Sequence, residues 1–92
     1  MTDPVVEQIR EQITNLDRAL VESINKRLKL VQQLRRYKER HELPFLDPSR
    51  EEWMLRYLTR ANRGPLSTEG LAELYAFLLD VTKRETAQEA IR

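Results

Sequence analysis

VVEQIREQITNLDRALVESINKRLKLVQQLRRYKERHE, residues 5–42, runs without a single proline or glycine. Val6, Ile9, Ile13, Leu16, Leu20, Ile24, Leu28, Val31 and Leu34 recur in it at spacings of three or four. That spacing places them on one stripe of an α-helix, with the charged residues on other faces. A helix over about 4–41 would be roughly 57 Å long. A compact chain of 92 residues has a radius of gyration of only about 12 Å. The stripe is therefore too long to be covered from within the same chain. A sharp kink would resolve the conflict by folding the helix on itself, but no residue in the segment supplies one. The remaining solution is a second copy: the sequence predicts an intertwined homodimer with the long helices antiparallel.

The other breaks fall where turn chemistry puts them. In LPFLDPSREEWM, residues 43–54, Pro44 and Pro48 bracket a short loop, and Asp47-Pro48 is a strong helix start. Gly64-Pro65 marks a second turn, with Ser67 placed to cap the next helix. No alternating strand pattern, internal repeat or low-complexity segment is present. The fold expected is all-α, a single domain over 1–92, with helices at about 4–41, 48–61 and 67–88. The second and third would be roughly 21 Å and 33 Å long.

Composition narrows the function. There is no cysteine, which removes disulfides and thiol chemistry. No apolar run spans a bilayer and the start lacks a signal-peptide pattern, so a cytoplasmic location is expected, without membrane association. The net charge of +1, from 16 basic and 15 acidic residues, disfavours a protein built mainly to grip a polyanion. The charge is uneven, however. Between Lys26 and Arg40 lie seven Lys or Arg against one acid, Glu39. Such a run serves as a solvated helix face, a nucleic-acid patch or part of an anion site.

Helical geometry separates these uses. Arg27 and Lys38 are eleven positions apart, about three full turns, so they share a face. Val31 and Leu34 lie between them, forming an apolar floor with a cation at each end, roughly 16 Å apart along the axis. With both side chains leaning inward, the gap suits a small dianion carrying an apolar ring. Lys29, Arg36 and Arg40 point elsewhere, which disfavours nucleic-acid binding. Arg10 lies about 25 Å from Arg27 and a quarter turn or more away. It cannot serve the same slot within one chain, but an antiparallel partner's Arg10 could. For any one of these cations taken alone, solvated surface is the ordinary reading.

Arg50 is anomalous, because the start of a helix favours acids and disfavours cations. It falls on one face with Met54 and Tyr57, at an inward edge, with Asp47 and Glu51 as local ion-pair partners. In the third helix Leu71, Leu74, Leu78 and Val81 form one line. Tyr75, Leu79, Thr82 and Thr86 form the adjacent line, whose polar end is either functional or a frayed stripe.

The inventory excludes much chemistry. His41 stands alone near a helix end, no metal-ligand spacing is present, and no glycine-rich phosphate loop exists. No serine has an evident His–acid pair. What remains is catalysis by restraining one reactant and stabilising developing charge.

The joint spacing of Arg10, Asp17, Arg27, Lys38, Asp47, Arg50 and Glu51 resembles the all-helical class of chorismate mutase, over about residues 5–86. The resemblance implies a homodimer of three-helix chains that converts chorismate to prephenate without cofactor or metal. Carried over position by position, it implies that Arg27 binds one substrate carboxylate and Arg10 reaches in from the other chain to grip a carboxylate. Lys38 donates to the ether oxygen. Glu51 accepts from the ring hydroxyl near the Asp47 backbone, and Arg50 shapes the site. The family's last helix usually offers a small hydroxyl residue and, four positions on, a Gln or Glu. Here those positions read Thr82 and Thr86, with Glu85 adjacent as an alternative donor if the register shifts. Members of the family are often fused to or associated with other aromatic-pathway enzymes, so such a partner is expected. An isochorismate-pyruvate lyase on the same scaffold, and a weakly active or regulatory mutase module, are the alternative readings.

Overall fold

The computed structural model describes the backbone of residues 3–91 and the side chains of residues 3–87. It contains three helices: α1, Pro4–Arg40; α2, Pro48–Ala61; and α3, Thr68–Ile91. Each start is set by a side-chain cap. Asp3 accepts from the Val5 and Val6 N–H groups at 2.8 and 3.3 Å, Asp47 from Arg50 N–H at 3.1 Å, and Ser67 from Gly70 N–H at 3.0 Å. Each satisfies a donor that has no partner within its helix. The third helix continues past the expected end at residue 88.

α1 ends in a two-bond reverse turn. Leu43 N–H donates to Lys38 O at 2.8 Å and Glu42 N–H to Glu39 O at 3.3 Å. Glu42 takes the left-handed backbone conformation that this turn demands, with φ of 55°. The loop that follows is held against α1 from two sides. The Arg35 guanidinium lies 4.5 Å from the centre of the Phe45 ring, and Lys38 Nζ reaches Phe45 O at 3.5 Å. The α2–α3 turn is clipped by Asn62, which accepts from Gly64 N–H at 3.0 Å and donates to Leu66 O at 2.8 Å.

α3 packs against both α1 and α2. The molecule is long and thin, 60 × 32 × 16 Å, with a radius of gyration of 17.2 Å. That is well above the roughly 12 Å of a compact chain of this length. Among the described residues only Tyr75, Thr82 and Thr86, all on α3, are buried. Every described residue up to Ser23 is exposed, including Ile9, Ile13, Leu16 and Leu20. Ile24, Arg27, Leu28, Val31, Gln32, Arg35 and Lys38 are half-buried, at helical spacing. The single chain thus uses only the second half of its long apolar stripe. No helix among the described residues is long and apolar enough to cross a membrane.

Candidate active site

Where the second half of α1 meets the loop, α2 and α3, a cleft of about 320 Å³ opens. α1 contributes Arg27, Val31, Leu34 and Lys38; the loop Phe45, Leu46 and Asp47; α2 Arg50, Glu51 and Met54; and α3 Tyr75, Leu79 and Lys83. The apolar floor expected between Arg27 and Lys38 is therefore a cleft wall. Its volume is at the small end of what small-molecule sites occupy.

The cations and carboxylates are individually held. Arg27 Nη1 donates to Thr82 Oγ1 at 2.7 Å. The Thr82 hydroxyl donates to Leu78 O at 2.7 Å, so it is used as both acceptor and donor. Lys38 Nζ is drawn to the loop carbonyl of Phe45. Asp47 is held below the usual carboxylate range, chiefly by the Arg50 backbone N–H and then by the Ser49 hydroxyl at 2.9 Å, with Lys38 and Arg50 adding favourable charge. Glu51 Oε1 lies 3.1 Å from Lys83 Nζ.

Arg50 at the start of α2 is accommodated by an aromatic contact as well as by the charge of Asp47. Its guanidinium lies 4.6 Å from the centre of the Trp53 ring, and Trp53 stacks on Tyr57 at 5.3 Å. An arginine over an indole face gains electrostatic attraction from the ring. This offsets the unfavourable position at a helix N-terminus.

Of the residues singled out from sequence, Arg27, Lys38, Asp47, Arg50 and Glu51 come together around the cleft. Arg10 does not: it is exposed on the first half of α1, paired with Glu7 at 3.4 Å. Thr82 stands one layer back, behind Arg27. Thr86 is packed between the helices and does not line the cleft of the single chain. Its exposure is 0 % and its hydroxyl donates to Thr82 O at 2.8 Å. Lys83 is the cleft residue that sequence reasoning missed. The line Tyr75, Leu79, Lys83 advances by fours, and each step of four turns the side chain about 40° further round the helix. That drift carries Lys83 into the cleft. The mixed spacing of Tyr75, Leu79, Thr82 and Thr86 instead follows the packing seam. Among the described residues no group of three His, Asp or Glu is placed to hold a metal ion.

Three helices that set cations at both ends of an apolar floor, with carboxylates on the facing wall, define an all-helical cleft of a particular class. The chorismate mutase type II family model matches residues 9–87, and the chain belongs to that family. Two structures of chorismate mutase from Thermus thermophilus share its fold. Form I superposes with a TM-score of 0.81 at 31% identity, covering 84% of this chain and 96% of that one. Form II superposes with a TM-score of 0.85 at 29% identity, covering 89% and 93%. Bifunctional chorismate mutase/prephenate dehydratases of Stutzerimonas stutzeri and Pseudomonas aeruginosa are 32% and 36% identical over 72 residues, 73% of this chain. The chain spans 20% of the length of these curated relatives.

Proposed function

We propose that the chain catalyses the rearrangement of chorismate to prephenate. The carrying observation is the joint lining of one cleft by Arg27, Lys38 and Glu51 around the Val31–Leu34 floor. The reaction is internal to the substrate. The C–O bond of the enol ether breaks as a C–C bond forms between the side chain's terminal carbon and the ring, and no atom enters or leaves. The requirement is that the flexible side chain sit over the ring while negative charge grows on the ether oxygen.

Arg27, braced by Thr82, takes one carboxylate. Lys38, within the apolar cleft, faces the ether oxygen and stabilises the transition state more than the ground state. Glu51 accepts from the ring hydroxyl, with Asp47 and Arg50 shaping that end. Clamping both ends removes much of the entropy otherwise lost at the barrier. Arg10 would complete the clamp from a second copy of the chain. The exposed stripe of Ile9, Ile13, Leu16 and Leu20 supports an antiparallel homodimer, since burying each such side chain is worth about 1.5–3 kcal/mol. We read residues 1–92 as one domain of this kind, working in the cytoplasm. The relatives in which a mutase is joined to a dehydratase support association with another enzyme of the aromatic pathway.

A spectroscopic assay of chorismate disappearance on the purified chain, with and without cell extract, tests the reading. Prephenate is the expected product. Release of pyruvate with salicylate from isochorismate would instead make the chain a lyase on the same scaffold. Inertness under both conditions would leave a non-catalytic module.

A further inference from the structure

Lys83 enters the cleft from α3, one turn beyond Leu79, and its Nζ meets Glu51 Oε1 at 3.1 Å. On its own helix the nearby carboxylate of Asp80 is engaged by Arg84 at 3.5 Å. The pair it forms with Glu51 is partly shielded, so the two charges are felt at the cleft without full solvent screening. Four cations line the cleft, Arg27, Lys38, Arg50 and Lys83, against two carboxylates, Asp47 and Glu51. Within one chain the surplus is two positive charges, before any Arg10 from a second copy is added. Without Lys83 that surplus drops by one, and Glu51 stands beside the ligand without its ion-pair partner.

We propose that Lys83 is a specificity-determining residue of this cleft, pairing with Glu51 so that a hydroxyl-accepting carboxylate can stand beside a dianion without repelling it. The inference rests on the reading of the cleft as a chorismate site and deepens it. A carboxylate is a stronger acceptor for a ring hydroxyl than a neutral group, yet an anion at that place opposes a doubly charged ligand. Lys83 resolves the conflict from a position that packing alone does not require, since the seam is filled by Thr82 and Thr86. The selection is for doubly charged over singly charged ligands.

Charge-neutral substitutions separate this role from a merely structural one. Lys83→Met is expected to raise KM for chorismate about tenfold while kcat changes less than about threefold. Lys83→Arg, which keeps the charge, should restore KM to within about twofold of the parent. Lys83→Met combined with Glu51→Gln returns the surplus to two, so KM should recover to within about threefold of the parent although kcat stays low. A parent-like KM in Lys83→Met, or a double variant binding as weakly as Lys83→Met alone, overturns the proposal. Circular dichroism of each variant identifies any that fails to fold, and the double variant and Lys83→Arg then decide. Calorimetric titration with prephenate separates this proposal from the reaction itself. A parent that binds prephenate in a Lys83-dependent way yet turns over no chorismate loses the reaction and keeps the Lys83 role. A parent that binds no prephenate loses both.

Discussion

The two halves of α1 carry the same apolar periodicity and meet opposite fates. From Ile24 onward the stripe packs on α3, and the charged residues beside it, Arg27 and Lys38, become parts of a cleft wall. Up to Ser23 the same pattern of Ile and Leu is exposed among the described residues: Leu16 is 69 % exposed and Leu20 59 %. The difference teaches that periodicity states which face requires burial and is silent on what buries it. In the second half the same chain supplies the cover, because α3 is long enough to reach. In the first half it does not, because the described side-chain contacts of α2 and α3 with α1 fall between Arg27 and Lys38.

The strongest way to break the contrast is to charge the uncovered half. Ile13→Glu leaves every contact described within the single chain intact. If a second copy covers that face, it should cost roughly 3 kcal/mol or more per copy and abolish self-association. Sedimentation velocity with circular dichroism checks this. An unchanged association state would mean that the exposed stripe is not an interface between copies.

Next in size is Lys38→Ala in the covered half, expected to lower turnover a hundredfold or more, on the order of 3–4 kcal/mol, with association intact. Arg10→Ala should also be severely impaired, although Arg10 lies outside its own cleft. Mixing the two inactive variants then links the halves directly. A mixed dimer contains one site with both residues intact, so about a quarter of parental turnover should return if Arg10 acts in trans. No recovery on mixing would confine each site to a single chain.

A smaller effect tests the brace behind Arg27. Thr82→Val removes the oxygen that accepts from Arg27 and should raise KM about fivefold to tenfold, the effect of losing about 1 kcal/mol. Thr82→Ser, which keeps that oxygen, should stay within about twofold of the parent. A KM that follows side-chain volume instead would make Thr82 a packing residue only.

The smallest effect is on acid stability. The folded-state pKa of Asp47 lies below its unfolded value, through the Arg50 N–H and the Ser49 hydroxyl. The stability it contributes is therefore fully present above the ordinary carboxylate range and is lost as pH falls through the depressed value. Asp47→Asn keeps a capping oxygen but no longer titrates, so its thermal midpoint should flatten on the acid side of that range. An acid limb identical to the parent's would show that other carboxylates set it.

Much of the site was legible because α1 is long and regular. A rotation of about 100° per residue is enough to place Arg27, Val31, Leu34 and Lys38 on one face. The Asp-Pro pair located the start of α2 and its anomalous Arg50, while Asp47 and Glu51 entered the site only through the family resemblance. α3 was less legible because neighbouring lines diverge by small angles. Thr82 and Thr86 lie on the seam, where their hydroxyls are satisfied by backbone carbonyls one turn back and fill space. Lys83, a single residue beyond Thr82, reaches the cleft. One residue of register is the limit of what spacing resolves without knowing how α3 sits on α1 and α2.

The sequence alone determined that this chain is helical, where its three helices start, and that its long helix cannot be satisfied by the rest of the chain. Those outcomes depend on local backbone geometry, capping groups and chain length, all of which are written in order along the polymer. The tertiary arrangement alone decided that Glu51 faces Lys83, that Thr82 braces Arg27, and that Thr86 is sealed away from the cleft. Each of those depends on the rotation of one helix about its axis against another. That rotation is set by how all the side chains pack together, not by any one segment.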